Sequence, residues 1–442
     1  MRRSRLLLPL CLLFATLLAS TAFGDVLFRD VRIFDGRSDV LSGPTNVLVR
    51  GNLIVRISPD TAVSEDIPYT VVDGRGNVLM PGLIDSHWHS MMSIPSSEAL
   101  LLADIGYVNI LATVGAQEAL MRGFTTLRDL GGPAFSLKRA IDQGLIPGPR
   151  IYPAGAMISQ TGGHGDFRLP YEIPREPNTP LGHAERSGVS AIADSPDDVR
   201  LRTREQLMKG AAYIKLMAGG GVSSVYDPLD ATQYTEDEVR AAVEAAENWG
   251  TYVTVHAYTP QAIQMAVRAG VKCIEHGQLA DEDTVKIMAE KGIWWSLQPF
   301  LDDEDANPRP DENSRKKQLE VTSGTDNAYR LAKKYGVKVA WGTDVLASLE
   351  GTRRQGARLV KMQRWYTPVE ALRMATATNA ELLALSGPRN PYPGKLGVVE
   401  EGALADLLLV GGNPLEDLSL LENSERNLLV IMKDGKIYKD LN

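Results

Sequence analysis

From about Val78 to Leu385 the chain alternates short apolar runs with helix-patterned stretches, and no other feature narrows its possible folds so far. The runs are VLMPGLIDSH, TTLRDL, RIYPAG, AYIKLMAG, YVTVHAY, KCIEHG, WWSLQPF and VAWGTDV. Between them lie stretches such as AVEAAENWG and PQAIQMAVRAG, whose apolar residues recur at helical spacing. Strand–helix alternation of this kind builds βα units around a parallel sheet. Eight such units are the number that closes a (β/α)8 TIM barrel, an α/β fold whose reactive side chains gather at the C-terminal strand ends.

The flanks have a different texture. Residues 25–79 contain DVLFRDVRIFDGRS, TNVLVRGNLIVRIS and TVVDGRGN, punctuated by Gly36, Gly51, Gly74 and Gly76. Short alternating runs broken by turn residues predict a small antiparallel β unit. The stretch 392–442 repeats the pattern in GKLGVVEEGALADLLLVGG and NLLVIMKDGKIYKD. The intervening 80–391 is then the barrel, and its charged, breaker-rich segment 302–318 is expected to be a solvated excursion or lid. A chain of 442 residues has room for this division.

Residues 1–24 are expected to lie outside the fold. Arg2, Arg3 and Arg5 precede an apolar run from Leu6 to Leu18 and then small residues, the layout of a secretory signal peptide cleaved after Ala22 or Gly24. The run is shorter than the ~20 residues a spanning helix needs. The mature protein is therefore expected to be exported, periplasmic or secreted, and off the membrane. Cys11 lies in the removed run, which leaves Cys273 alone and predicts no intrachain disulfide. A net charge of −8 argues against a nucleic-acid partner, which calls for a basic footprint. The expected partner is a small molecule in a pocket.

Reactive residue types sit where a barrel would use them. The first run ends in His87 and His89, the fourth carries Lys215, the fifth ends at His256, the sixth at His276 and the eighth at Asp344. Imidazole and carboxylate suit zinc and similar divalent ions. Each residue alone has a plain structural reading: a surface pair for His87 and His89, a packed imidazole for His256 or His276, a helix N-cap for Asp344. Lys215 resists one, because lysine is almost never buried unpaired and here it sits among Tyr213, Ile214, Leu216 and Met217. The joint set favours metal ligands. His164, in the glycine-rich QTGGHGD after the third run, is either a solvated loop residue or a contact in the site, and composition leaves both open. His183 reads as a loop residue, and Arg128 as half of a local Arg128–Asp129 network.

In these motifs, and in their order, the chain resembles the amidohydrolase superfamily, and within it the imidazolonepropionase-like and prolidase-like metal-dependent hydrolases. The resemblance runs from about Val26 to Lys439 and rests on MPGLIDSHWHS, TTLRDLGG, YIKLMAGGG, VTVHAY, IEHG and WGTD. It implies that His87 and His89 bind the more buried of two divalent ions, most often Zn2+. Lys215, carbamylated by CO2, would bridge the two, with His256 and His276 on the more exposed one. Asp344 would bind metal and carry protons, and His164 would contact the substrate carbonyl. The resemblance also implies one small β-sandwich built from both flanks, and a homo-oligomer.

The chemistry is coherent. Two divalent ions ~3.5–4 Å apart can share a hydroxide and polarise a carbonyl together. A carbamate offers an oxygen to each ion where a plain ammonium would repel both, and a dry site favours the neutral amine from which it forms. Similar enzymes include dipeptidases that remove a C-terminal amino acid and hydrolases of N-acyl amino acids, ochratoxin A among their substrates. Two alternatives stand beside this reading. Deaminases and cyclic-amide hydrolases of the imidazolonepropionase type do without the bridging lysine, and the deaminases usually carry a glutamate three residues after the fifth-strand histidine, where this chain has Thr259. A catalytically inactive binding protein on the same scaffold would have lost ligands, and none is lost here.

Overall fold

The strands Leu83–Trp88, Phe124–Asp129, Arg150–Pro153, Ile214–Met217, Val253–Ala257, Cys273–His276, Trp294–Leu297 and Val339–Trp341 form the wall of an α/β barrel, one from each apolar run. All their residues are buried, as expected of parallel strands covered on both faces. The first three pair in parallel, as do the fourth to eighth. Two short strands, Met157–Ser159 and Ser190–Ile192, fill the gap between the third and fourth, where Leu216 pairs with Ile158. The ring closes between the eighth strand and the first. Ser86 Oγ donates to the Trp341 carbonyl at 2.8 Å, and the Asp344 amide donates to the His87 carbonyl at 2.8 Å. This computed structural model describes residues 24–61, 68–96, 99, 102–175, 179–307, 309 and 311–442. The expected signal peptide, apart from Gly24, lies outside them.

Both flanks enter one eight-stranded sheet, so a β-rich domain built from the two ends stands beside the barrel. The joint is Val78–Pro81, parallel to Asp25–Ile33 on one side and antiparallel to Leu407–Val410 on the other. Phe28, Val47 and Leu79 from the first flank share a core with Leu407, Leu409 and Val430 from the last. Burying each such side chain contributes roughly 1.5–3 kcal/mol, which neither flank could collect alone. The unit is not purely antiparallel as expected: Asp25–Ile33 runs parallel to both Tyr69–Asp73 and Val78–Pro81.

The run VLMPGLIDSH also proves to be two strands. Val78–Pro81 belongs to the β-rich domain and Leu83–Trp88 to the barrel, with Gly82 between them. A Cβ on Gly82 would lie 2.1 Å from Thr125 Oγ1, so only glycine lets the chain cross there. The charged segment 302–318 departs from expectation too. Its second half begins the long helix Glu312–Tyr335, with Ser314, Lys317 and Gln318 buried. Its first half is pinned rather than solvated, since Lys361 pairs with Asp303 at 2.6 Å and with Asp305 at 2.7 Å, and Arg354 pairs with Asp305.

Candidate active site

At the C-terminal end of the barrel the strands stop on polar side chains, and two of these stops are bent. His276 and Asp344 have φ of 72° and 48°. Left-handed backbone at non-glycine residues costs on the order of 1–3 kcal/mol each and concentrates at functional sites. The bend at Asp344 is braced by Asp85, buried on the first strand. Its Oδ1 accepts from the amides of His87 and Thr343 at 3.0 and 3.1 Å, and its Oδ2 from Thr343 Oγ1 and Gln355 Nε2 at 2.6 and 2.9 Å. One carboxylate thus ties the first and eighth strand ends together.

These ends open into a cavity of about 490 Å3, lined by His87, His89, His164, Lys215, His256, His276 and Asp344. Asp344 Oδ1 lies 3.2 Å from His87 Nε2 and 3.3 Å from His89 Nε2. Donor atoms of His87, His276 and Asp344 fall within 4.8 Å of one another, a spacing that could hold a metal ion. His89 is outside that tight group but shares Asp344, and His256 adjoins it, its ring 4.5 Å from that of His276. His164 stacks on His256 at 4.1 Å. His183 is elsewhere, at the start of a short helix, His183–Arg186.

The far ring nitrogens are committed. His87 Nδ1 meets Glu275 Oε2 at 2.8 Å, and His276 Nδ1 meets Gln298 Oε1 at 2.8 Å, so each presents Nε2 to the centre. His256 is turned the other way, with Nε2 3.1 Å from the Gly220 carbonyl, which leaves Nδ1. Oriented imidazoles backed by carboxylate, amide or carbonyl are the usual setting of metal ligands. The donor set of imidazole, carboxylate and buried amine therefore fits divalent ions.

Electrostatics agree with that fit. Burial pulls the Lys215 pKa down to about 8, although Glu275 and Asp344 pull the other way. At neutral pH roughly a tenth of such a lysine is neutral amine. Burial alone would push the Asp344 carboxyl up, but His87 and the hydrogen bonds from His87 and His89 hold it well below the usual carboxylate range. His256 and His276 are pushed well below the ordinary histidine value, by burial first and then by neighbouring imidazoles. His164 falls to about 4, mainly through burial. These last three imidazoles are neutral near pH 7 and free to act as ligands or hydrogen-bond partners.

Glu275 escaped the sequence reading. It accepts from Arg128 Nη1 at 2.7 Å as well as meeting His87, and Arg128 in turn donates to the Ser86 carbonyl at 3.0 Å. The Arg128–Asp129 network expected from TTLRDLGG is therefore an Arg128–Glu275 pair, while Asp129 accepts from the amides of Ser90 and Gly131. Parallel strands set this choice, because partners come from other strands and not from the next residue. The missed signal was a carboxylate beside His276 in a run that had to be buried, the same argument that singled out Lys215. Glu275→Ala would leave the fully buried Arg128 guanidinium unpaired. It is expected to cost about 3–5 kcal/mol, seen as a large fall in the thermal midpoint. A midpoint within a degree or two of the parent would show that the pair braces nothing.

The rest of the cavity wall is largely apolar, with Met92, Phe167, Val222, Tyr258, Phe300 and Val321 among its residues. Its volume falls in the range of pockets that enclose a small organic ligand.

Comparisons with known proteins agree with this geometry. Residues 78–438 match the amidohydrolase family. The ochratoxinase of Aspergillus niger is 34% identical over 391 residues, covering 83% of this chain and 76% of that protein. A crystal structure of a prolidase complexed with N-methylphosphonate-L-proline superposes with a TM-score of 0.84 at 34% identity, covering 94% of this chain and 100% of the other. An Xaa-Pro dipeptidase with methionine bound in its active site gives a TM-score of 0.79 at 31% identity, with 94% and 100% covered. With its barrel, its strand-end histidines and a family match over most of its length, the chain belongs to the amidohydrolase family.

Proposed function

We propose that this protein is a dinuclear metal-dependent amidohydrolase that cleaves the amide bond of dipeptides or N-acyl amino acids, including bulky ones such as ochratoxin A. The observation that carries the reading is the meeting of five imidazoles, Lys215 and Asp344 at one end of a largely apolar cavity. The names of the similar ochratoxinase and prolidase point to the same substrate class.

In this reading His87 and His89 would hold one divalent ion and His256 and His276 the other, with zinc the expected metal. Lys215 would help hold both as a carbamate, formed when its neutral amine adds to CO2 and gives up one proton. The bound ions would supply a nucleophile at neutral pH and polarise the amide carbonyl. Asp344, whose Oδ1 reaches both His87 and His89, would take the nucleophile's proton and pass it to the departing amine. His164 donates a hydrogen bond toward the carbonyl oxygen as negative charge develops there. The apolar wall excludes water and receives the acyl group or the side chain of the amino acid.

A deaminase is less well served. Thr259 stands where such enzymes usually place a glutamate, and it precedes the helix Pro260–Ala269 rather than lining the cavity. Metal analysis of the purified protein, with a panel of dipeptides, N-acyl amino acids and aminopurines, separates the readings. Two ions per chain and hydrolysis of the first two classes are expected. Activity confined to the aminopurines would replace this reading with deamination.

The basic, apolar and small-residue order of residues 1–24 supports a separate expectation, that the enzyme is exported. Among the described residues no helix is long and apolar enough to cross a membrane. Sequencing the N-terminus of natively produced protein is expected to find Phe23 or Asp25 first. An intact Met1 on a cytosolic product would refute export.

A further inference from the structure

The motif AAYIKLMAGGG contains three glycines that metal binding does not explain, and they introduce a loop folded around His164. A Cβ on Gly221 would lie 1.9 Å from His164 Nδ1, so the imidazole packs directly on that backbone. A Cβ on Gly220 would lie 1.9 Å from the Pro228 carbonyl oxygen, which closes the loop on itself. Asp227 Oδ2 accepts from the Gly221 amide at 2.8 Å and from Gln233 Nε2 at 3.1 Å. Gln233 Oε1 in turn accepts from the His164 amide at 2.9 Å.

The loop is clamped from outside the barrel wall. Lys317, buried on the helix Glu312–Tyr335, donates from Nζ to the carbonyls of Gly221, Ser224 and Asp227 at 3.1, 3.1 and 2.6 Å. All three of its N–H bonds are thereby used. Inside the clamp, Ser224 Oγ lies 2.7 Å from His164 Nδ1 and 3.3 Å from the Gly221 carbonyl oxygen. The hydroxyl has one hydrogen: it goes to Nδ1 if that nitrogen is unprotonated, and to the Gly221 carbonyl if Nδ1 itself donates to Oγ. Gly221 O is the more distant and already accepts from the Lys317 ammonium, whereas Nδ1 is close.

We propose that Ser224, held in place by Lys317, is a positioning residue that donates to His164 Nδ1 and so fixes the imidazole as the tautomer protonated on Nε2, the nitrogen left to the cavity. The inference rests on the proposed amide hydrolysis only for its catalytic consequence. A neutral imidazole can give a hydrogen bond to an oxyanion only from the nitrogen that carries its proton. With the proton on Nδ1 it would instead turn a lone pair toward the developing negative charge. Lys317 thus serves the reaction through the loop, without lining the cavity itself.

The tautomer can be read directly. Zinc-loaded protein labelled with 15N-histidine would be examined by long-range 15N–1H correlation, with His164→Asn identifying the His164 signals. Ser224→Ala, Ser224→Thr and Lys317→Met would be compared with the parent, using the best N-acyl amino acid from the panel for kinetics. The parent is expected to show Nδ1 as unprotonated and Nε2 as protonated. Ser224→Ala should change that spectrum and lower kcat about tenfold, the size of one hydrogen bond, with KM and thermal midpoint little altered. Ser224→Thr, which keeps the hydroxyl, should restore both. Lys317→Met should behave like Ser224→Ala, and should it fail to fold, the Ser224 pair still decides.

A proton found on Nδ1 in the parent would overturn the inference, as would a Ser224→Ala variant with unchanged spectrum and kcat. Failure of the broader reading looks different. His164→Asn with normal kcat would remove His164 from the reaction, while the tautomer result would stand on the spectrum alone.

Discussion

Lys215→Ala is expected to lose most of its bound metal and to fall in hydrolytic activity by on the order of 10³-fold or more. The size follows from what the proposed dinuclear centre would lose: an anion shared by two ions that together would supply several kcal/mol of charge stabilisation in the transition state. Lys215 is only 1% exposed, and on its strand it stands between Ile214 and Leu216. A permanent ammonium there would oppose any cation at His87 or His276. Burial has already brought its pKa to about 8, so the neutral amine that captures CO2 is within reach. Alanine leaves space for a small carboxylic acid, and acetate or propionate should restore part of the activity by standing in for the proposed carbamate. A purely structural lysine makes the opposite forecast: reduced stability, undisturbed metal and no rescue. Full metal occupancy with normal turnover in this variant would end the dinuclear reading.

Asp344→Asn is expected to lower kcat by roughly 10²–10⁴, the usual range for loss of a general acid–base. Asparagine keeps the size of the side chain but loses the charge and the ability to take up a proton. The backbone bend at φ 48° should survive, since asparagine is among the residues that tolerate it. So should the hydrogen bond that the Asp344 amide N–H donates to the His87 carbonyl. Metal content should fall much less than in Lys215→Ala, and KM should move far less than kcat, because the lost contact belongs to the transition state. If Asp344 merely shaped the turn, asparagine would cost below about 1 kcal/mol and leave the rate unchanged. Metal content, thermal midpoint and kcat measured on one preparation separate the two roles.

Much of this could be read from the sequence, for a physical reason. Barrel strands are covered on both faces and so become unbroken apolar runs, against which His87, His256, His276 and Asp344 stand out at the ends. Lys215 stood out in mid-run for the same reason. What stayed hidden was pairing between strands. That Arg128 turns to Glu275 and not to Asp129 depends on how the second and sixth strands face each other across the barrel interior, and nothing within TTLRDLGG encodes it. Gly82 hides the split of the first run, because a glycine within an apolar stretch does not reveal that Thr125 will press against it. Lys317 was hidden most completely. It lies in a charge-rich stretch that reads as solvated, and only the docking of the helix Glu312–Tyr335 turns this one lysine inward.

The central claim, that a divalent metal centre at these strand ends hydrolyses an amide, is tested most directly by metal titration. The protein would be stripped with chelator, shown to be metal-free by elemental analysis, and titrated with zinc while hydrolysis of an N-acyl amino acid is followed. Activity should be absent at the start, rise with added zinc and level off at two equivalents per chain. Full hydrolytic activity in the metal-free protein would contradict the claim.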